Sequence, residues 1–337
     1  MIVILTTEDD HSTCEVIDWL IAYNKPYVRI NENDLVDVQL VSGNNQGFDF
    51  ALGLANRVIR LSEIEGFWFR RGWLNVGALN LSQGIDLNPG LVRQINRHLQ
   101  KERVELQGFL GHLLATKHAL GHPVKDQINK MITLWQAQAL GIKIPAFSIT
   151  QHSSQVQAAL QVQPLITKGI EGVANFEAND EMYGNYTEEV NQNAIKCWGS
   201  SFFPSLFQEK LDKMYELRIF YLQGKFYPMA IFSQNDPQTS VDFRRYNNER
   251  PNRVVPYVLP VELEHRLEKL MQAIPLNTGS IDMVYTQDNE YVFLEVNPIG
   301  QFGMVSHPCN YHLEQAIAQF LTKKLPHNEN QPNFTTN

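Results

Sequence analysis

The first apolar run of the chain, Ile2–Leu5, is short and unbroken and is followed by acids. That is the pattern of a buried strand; a secretory signal would carry a basic flank. Ser12 or Thr13 can cap the next segment, whose Val16, Ile17, Leu20 and Ile21 share one helical face. Pro26 stops it before a second strand, Tyr27–Ile30. Strand, helix and strand of this length predict a βαβ unit and hence a parallel sheet. Phe67–Phe69 reads as another strand, and Pro89 to Leu114 as a long helix with its proline in the first turn. The turn-rich segment His118–Lys125 marks a boundary.

Beyond it the pattern changes. Lys130–Leu140 is a helix with Met131, Leu134 and Trp135 on one face, ended by Gly141, and Leu165–Thr167 is a short strand. Residues Ala174–Ala194 are polar and irregular, as in a mobile insertion. From Pro204 onward strands dominate: Leu217–Leu222 and Phe226–Phe232 flank Gly224 as a hairpin, and Ile281–Tyr285 with Tyr291–Val296 forms a second. Val261–Ile274 is an amphipathic helix between them, Glu314–Leu325 is a closing helix, and the polar tail after Pro326 is expected to be disordered. There is no internal repeat.

The 337 residues exceed one small module, and 43% hydrophobic with 19% charged residues is an ordinary globular balance. A net charge of −8 argues against a nucleic-acid binder, and no apolar stretch is long enough to span a membrane. Cys14, Cys197 and Cys309 are too far apart for a zinc or disulfide pattern. The expected location is the cytoplasm.

The chemistry concentrates in the last hairpin. With Asp288-Asn289 as a two-residue turn, Asp282 stands opposite Glu295, and Asn297 lies on the same face. Two facing carboxylates repel and call for a cation. Carboxylate and amide oxygens together suit Mg²⁺ that also holds phosphate oxygens. Lys130 opens one helix, and Lys168 ends a strand beside Gly169, where a lysine can meet phosphate as a point charge. The strand exit Phe207–Leu211 can present backbone and a carboxylate to an adenine edge. Arg218 begins a strand where a cation can stabilise a transferring phosphoryl group.

In order, Asn129-Lys130, Gly141 to Pro145, Lys168-Gly169, Gln208-Glu209, Glu216-Leu217-Arg218, Asp282 and Glu295-Val296-Asn297-Pro298 resemble the ATP-grasp ligase superfamily. The opening Thr7-Glu8-Asp9-Asp10, the run Phe67-Trp68-Phe69-Arg70-Arg71 and the ending Gln301-Phe302 resemble its graspetide branch, the microviridin-type and grasp-with-spasm peptide maturases. The resemblance implies an α/β and α+β architecture. A Rossmann-like N-terminal domain (1–117) precedes a small central lobe with a leader-binding insertion (118–205), a C-terminal ATP-grasp lobe with the metal site (206–325) and a disordered tail (326–337). It implies ATP and Mg²⁺. Lys130 and Lys168 are then on phosphates, with Glu209, Lys210 and Leu211 at the adenine beside Gln208. Asp212 or Glu216 is at the ribose, and Asp282, Glu295 and Asn297 are on the metal.

The partner implied is a ribosomal precursor peptide whose Asp or Glu side chains are joined to Ser, Thr or Lys as ω-esters or ω-amides, and the enzyme is expected to be a homodimer. No Lys or Arg lies between Lys168 and Lys196, so Glu171, Glu177, Glu188 and Glu189 suit a basic leader. Arg244 and Arg245, together with Arg70 and Arg71, suit an acid-rich core. Two other readings are open: a small-molecule or glutamate-adding ligase of the superfamily, and a non-catalytic ATP-binding regulator.

Overall fold

Four parallel strands build the first sheet: β1 (Ile2–Thr6), β2 (Tyr27–Asn31), β6 (Gly66–Phe69) and β7 (His118–Leu120), in the order β2-β1-β6-β7. In this computed structural model the described residues are 1–77, 88–124, 128–171, 175–178, 181–184, 187–234 and 249–323, with backbone only for 175–178 and 181–183. Every residue of β1 is buried, which is why its run is apolar without alternation. Helix α1 (His11–Ala22) crosses from β1 to β2 and is capped by Asp10, which accepts from Thr13 N–H. The long helix predicted from Pro89 is present as α2 (Pro89–Ala115).

Between β2 and β6 the chain makes an antiparallel meander: β3 (Asp37–Asn44), β4 (Gly47–Leu54) and β5 (Arg57–Arg60). The hydrophobic pattern alone did not mark it, because β3 is exposed along most of its length. One core holds the unit together, built from Val3, Leu5, Phe50, Leu52, Phe67, Leu110 and Leu114 among others.

The chain divides into two units, Met1–Asp126 with His312–Asn337, and Gln127–Tyr311. The closing helix, Leu313–Thr322, therefore belongs with the first unit, whereas sequence order groups it with the segment from 206. It buries Leu313, Ile317, Ala318 and Leu321 and lies against α1, β6 and β7. His118 Nε2 is 2.7 Å from Phe320 O.

The second unit is built on two lobes. One is the sheet β12-β9-β13-β8, from β8 (Phe147–His152), β9 (Leu165–Lys168), β12 (Glu188–Glu189) and β13 (Ser201–Glu209). Helices α4 (Ser153–Val162) and α5 (Gln192–Cys197) cover one face over Val156, Leu165, Ile195 and Phe207. The polar stretch expected to be irregular carries a hairpin, β10 (Asn175–Ala178) and β11 (Glu181–Gly184), and then joins the sheet through β12.

The other lobe is the antiparallel sheet β16-β15-β14-β17-β18: β14 (Lys213–Leu222), β15 (Lys225–Phe232), β16 (Arg253–Pro256), β17 (Thr278–Thr286) and β18 (Tyr291–Asn297). Helices α3 (Lys130–Ala139) and α6 (Val261–Ala273) share its apolar core with Leu217, Ile219, Ile281 and Phe293. A short helix, α7 (Gly303–Cys309), closes the unit. Among the described residues no helix is long and apolar enough to cross a membrane.

Candidate active site

The site stands on the face of the five-stranded sheet away from α6. Along β14 the side chains of Leu217 and Ile219 enter the core, which turns Glu216 and Arg218 to the other face. Arg218 pairs in register with Asp282 on β17, and Asp282 with Glu295 on β18. Three charged residues thus form one row across three strands.

The facing of Asp282 and Glu295 is as the sequence predicts, but it arises differently. The turn is one residue longer than expected. Thr286 N–H donates to Glu290 O at 3.0 Å, and Asn289 takes a left-handed conformation (φ 62°). Three residues, Gln287 to Asn289, therefore lie between Thr286 and Glu290, which close the turn, and Tyr285 pairs with Tyr291. A bulge at Leu294 supplies the compensating residue: Met283 pairs with Phe293, yet Asp282 pairs with Glu295. The two shifts cancel at the carboxylates.

Cations and an amide meet that row. Arg218 Nη1 donates to both Asp282 oxygens, at 2.7 and 2.6 Å. Lys130, first residue of α3, is held there by the Asn129 cap, whose side chain accepts from Met131 and Ile132 N–H. Its Nζ is 2.9 Å from Glu295 Oε2. Asn297 Nδ2 donates to Asp282 at 3.3 Å and to Glu295 at 3.5 Å. These contacts offset the repulsion of two largely buried carboxylates.

Beside the row lies a cavity of about 500 Å³ between the two sheets of this unit. Ile166, Lys168 and Gln208 line it from the four-stranded sheet, and Glu216, Asp282 and Glu295 from the five-stranded one. Glu209, Lys210, Leu211 and Asp212 line it along the connection from β13 to β14. Glu209 anchors that connection: its N–H donates to Ala146 O at 2.9 Å, and its Oε1 accepts from Ala146 N–H at 2.8 Å. Lys210 N–H donates to Pro164 O. Lys130 and Asn297 do not line the cavity, but each contacts its carboxylates: Lys130 meets Glu295, and Asn297 meets both.

Sequence reasoning missed Lys213 and Ser233. Lys213 Nζ donates to Glu216 Oε1 at 2.6 Å, and Ser233 Oγ to the same oxygen at 2.7 Å; all three are buried, and Lys213 and Glu216 line the cavity. Strand alternation would put Lys213 and Glu216 on opposite faces. An irregularity between Lys213 and Tyr215 turns Lys213 onto the Glu216 side, and no residue type announces it. Burial pushes the Glu216 carboxyl up from its ordinary range, and Lys213 and Ser233 pull it back. Val284 and Leu294 give the cavity apolar wall; Leu294 reaches it as the bulged residue.

Other expected residues lie elsewhere. Glu188 and Glu189 form β12 and are exposed, but Glu189 also lines the cavity and pairs with Lys210 at 2.7 Å. The acidic stretch is therefore not without a cation in three dimensions, because folding brings one from β13's exit. Glu171 is exposed, while the Glu177 side chain, Arg244 and Arg245 lie outside the described residues. Arg70 and Arg71 are in the first unit. Arg70 is 4% exposed and paired with Asp10, so it is not an open surface cation for a peptide core.

No protein-family profile matches the chain, and no curated protein matches it in sequence. Solved structures do match. A RiPP-associated ATP-grasp ligase of Chryseobacterium gregarium, in complex with ADP and a leader and core peptide, aligns over 96% of this chain and 97% of its own, with TM-score 0.78 and 22% identity. The chain has the ATP-grasp ligase fold. The macrocyclase MdnC of Microcystis aeruginosa MRC, bound with precursor peptide MdnA, aligns over 95% of this chain and 99% of its own, with TM-score 0.74 and 27% identity. The ATP-grasp ligase PsnB, in complex with a phosphomimetic variant of its minimal precursor, Mg and ADP, aligns over 95% and 97%, with TM-score 0.67 and 16% identity.

The donor set fits a magnesium ion. Asp282, Glu295 and the Asn297 amide are hard oxygen donors gathered on one face beside the cavity. Among the described residues no group of three or more His, Cys, Asp or Glu side chains could hold a metal. Mg²⁺ suits such a sparse set, because it is commonly held by one or two carboxylates and completed by phosphate oxygens and water.

Proposed function

We propose that the protein is an ATP- and Mg²⁺-dependent peptide macrocyclase that joins Asp or Glu side chains of a ribosomal precursor to Ser or Thr hydroxyls, or to Lys amines, of the same chain. The observation that carries the reading is the Arg218–Asp282–Glu295 row, with Lys130 and Asn297 upon it, at the edge of a nucleotide-sized cavity. Likeness over nearly the whole chain to MdnC supports the peptide substrate. Free Cys14, Cys197 and Cys309 agree with action in the cytoplasm, and we take the working form to be a homodimer.

Bound ATP with Mg²⁺ would supply the phosphoryl group that converts a carboxylate into an acyl phosphate with release of ADP, and a hydroxyl or amine would then displace inorganic phosphate. The chain's residues position and neutralise. Asp282, Glu295 and Asn297 would hold the metal, and Lys130 and Lys168 would carry phosphate charge. The Arg218 fork, already aligned by Asp282, offsets charge at the reacting phosphoryl. The adenine would lie against Ile166, Val284 and Leu294 and meet the backbone from Glu209 to Leu211, with Asp212 or Glu216 toward the ribose. These apolar walls exclude water, which strengthens each electrostatic contact.

Lys168→Ala should weaken ADP binding roughly ten- to hundredfold, the loss of one charge-assisted contact of about 1.5–3 kcal/mol. Calorimetry of the full chain with ADP and Mg²⁺ reads it, and unchanged affinity would remove Lys168 from the phosphate site.

The exposed acids Glu188 and Glu171 remain our leader-docking residues. Glu188→Lys should weaken binding of a basic leader and leave ADP binding unchanged. Glu189→Lys should weaken nucleotide binding too, because it disrupts the Lys210 pair at the cavity. Anisotropy of a labelled leader at two salt concentrations separates the two, since charge-driven docking fades as salt screens it.

The rival small-molecule reading predicts that free amino acids stimulate ADP release. The peptide reading predicts stimulation by the precursor alone, and steady-state ADP assays with each decide between them.

A further inference from the structure

We propose that the first unit carries a carboxylate-binding site of its own, read by the Arg71 guanidinium, which takes an acidic side chain of the peptide substrate; the inference rests on the peptide-ligase reading above.

The topology sets the place. From β1 the chain runs to β2 on one side of the sheet, while β6 lies on the other. Such a reversal of strand order opens a crevice at the carboxyl ends of the strands, the usual ligand position in open parallel sheets. Asp10 follows β1 there, and Arg70 and Arg71 follow β6. Gly72 comes next with φ 76°. A Cβ on it would lie 2.9 Å from Glu32 Cβ and 3.2 Å from Thr6 O, so the chain passes close to β1 only with glycine there.

One buried carboxylate stands against two guanidiniums. Asp10 Oδ1 accepts from Thr13 N–H at 3.3 Å, and Oδ2 is 2.9 Å from Arg70 Nε and 3.0 Å from Arg71 Nε. Asp10 and Arg70 are nearly inaccessible, whereas the Arg71 side chain is 30% exposed. Burial draws the Arg70 guanidinium down to about 10, still charged at neutral pH. Two cations thus stand against one anion in the immediate cluster.

Arg71 Nε lies within ion-pair distance of Asp10 but makes no hydrogen bond to it, and among the described residues its guanidinium has no hydrogen-bond partner. An edge of a guanidinium matches a carboxylate with two parallel hydrogen bonds. Arg29, on β2, is not available for this. It donates to Asn31 Oδ1, Thr7 O, Glu8 O and Cys14 Sγ, pinning the loop after β1. Asp9 and Glu32 are the other carboxylates nearby, and neither is ion-paired to Arg71. The site therefore offers one partly exposed guanidinium without a hydrogen-bond partner among the described residues, beside a buried Asp10–Arg70 pair. Its planar fork can hold a substrate carboxylate by two hydrogen bonds, which a lysine cannot.

The test uses the full-length protein and a fluorescein-labelled, C-terminally amidated peptide of alternating Asp, Thr and Gly, read by anisotropy. Arg71→Gln should weaken binding roughly tenfold or more, and Arg71→Lys should recover only part, since it keeps the charge and loses the fork. Replacing Asp by Asn in the peptide should weaken wild type equally and leave Arg71→Gln unaffected. Circular dichroism and an ADP titration verify that the variants are folded.

Arg71→Gln binding the Asp peptide like wild type would overturn the site. So would an Asn peptide that regains affinity only when its C-terminus is left free, because the carboxylate recognised would then be a chain end. If wild type binds ADP but no acidic peptide at all, the peptide-ligase reading itself fails. If wild type binds and modifies peptides and Arg71→Gln does so equally, only this site is wrong.

Discussion

Glu295→Gln will release ADP from ATP at least a thousandfold more slowly than wild type while keeping its fold. Removing one ligand charge from a metal that stabilises a transferring phosphoryl group costs several kcal/mol in the transition state, and each 1.4 kcal/mol is about tenfold. In the ligand-free molecule the same change is mild. Glu295 answers Lys130, whose side chain is 19% exposed and can turn to water, so stability should change by about 1 kcal/mol or less. Asp282→Asn should be equally inactive but less stable, by about 1–3 kcal/mol. It leaves the buried Arg218 fork facing a neutral amide in place of the carboxylate it now grips with Nη1. Coupled ADP assays and thermal melts measure both quantities. Turnover by Glu295→Gln at a rate near wild type would remove the pair from the metal site.

Lys213→Met carries the largest expected stability effect. Lys213 and Glu216 are each about 9% exposed, and breaking a buried ion pair by removing one partner costs about 3–5 kcal/mol. The remaining Glu216 carboxyl, already pushed up by burial, loses its main offsetting charge. The sign of the pH dependence follows. A carboxyl whose pKa is higher in the folded than in the unfolded state binds more protons when folded. Stability therefore falls as pH rises from the ordinary carboxyl value toward the raised one. Urea unfolding should find the variant's deficit larger at about pH 8 than at about pH 5, with wild type showing the smaller change. Adding Glu216→Leu should restore much of the loss, because an apolar pair leaves no charge unanswered. A deficit independent of pH would mean that packing, not the unpaired carboxylate, sets the cost.

Much of the site was legible because strand alternation is a strict rule. Asp282, Glu295 and Asn297 fall on one face once the hairpin is recognised, and Arg218 joins them through the period of β14. What alternation cannot reveal is its own interruption. The bulge at Leu294 and the irregularity after Lys213 each insert one residue that no side chain signals. The first happens to cancel an error in the turn length, and the second hides a buried lysine in the cavity lining. The helices predicted at 89, 130 and 261 are present because each has an apolar stripe, and the first two also begin at side-chain caps, Asn88 and Asn129. The meander Asp37–Arg60 escaped notice because an exposed strand has no buried face to impose a pattern. The Asp10–Arg70 pair escaped for another reason: it joins residues sixty positions apart, a proximity fixed only by the pairing of β1 with β6.

The central claim is the chemistry of the peptide, and intact-mass spectrometry tests it most directly. A short peptide carrying Asp or Glu together with Ser, Thr or Lys, sought in a reading frame beside the gene, is incubated with the purified full-length chain, ATP and Mg²⁺. The account predicts stepwise loss of one water per bond, one ADP released for each loss, no loss when ATP is omitted, and no loss with Glu295→Gln. A peptide that keeps its mass while the protein binds or hydrolyses ATP would contradict it.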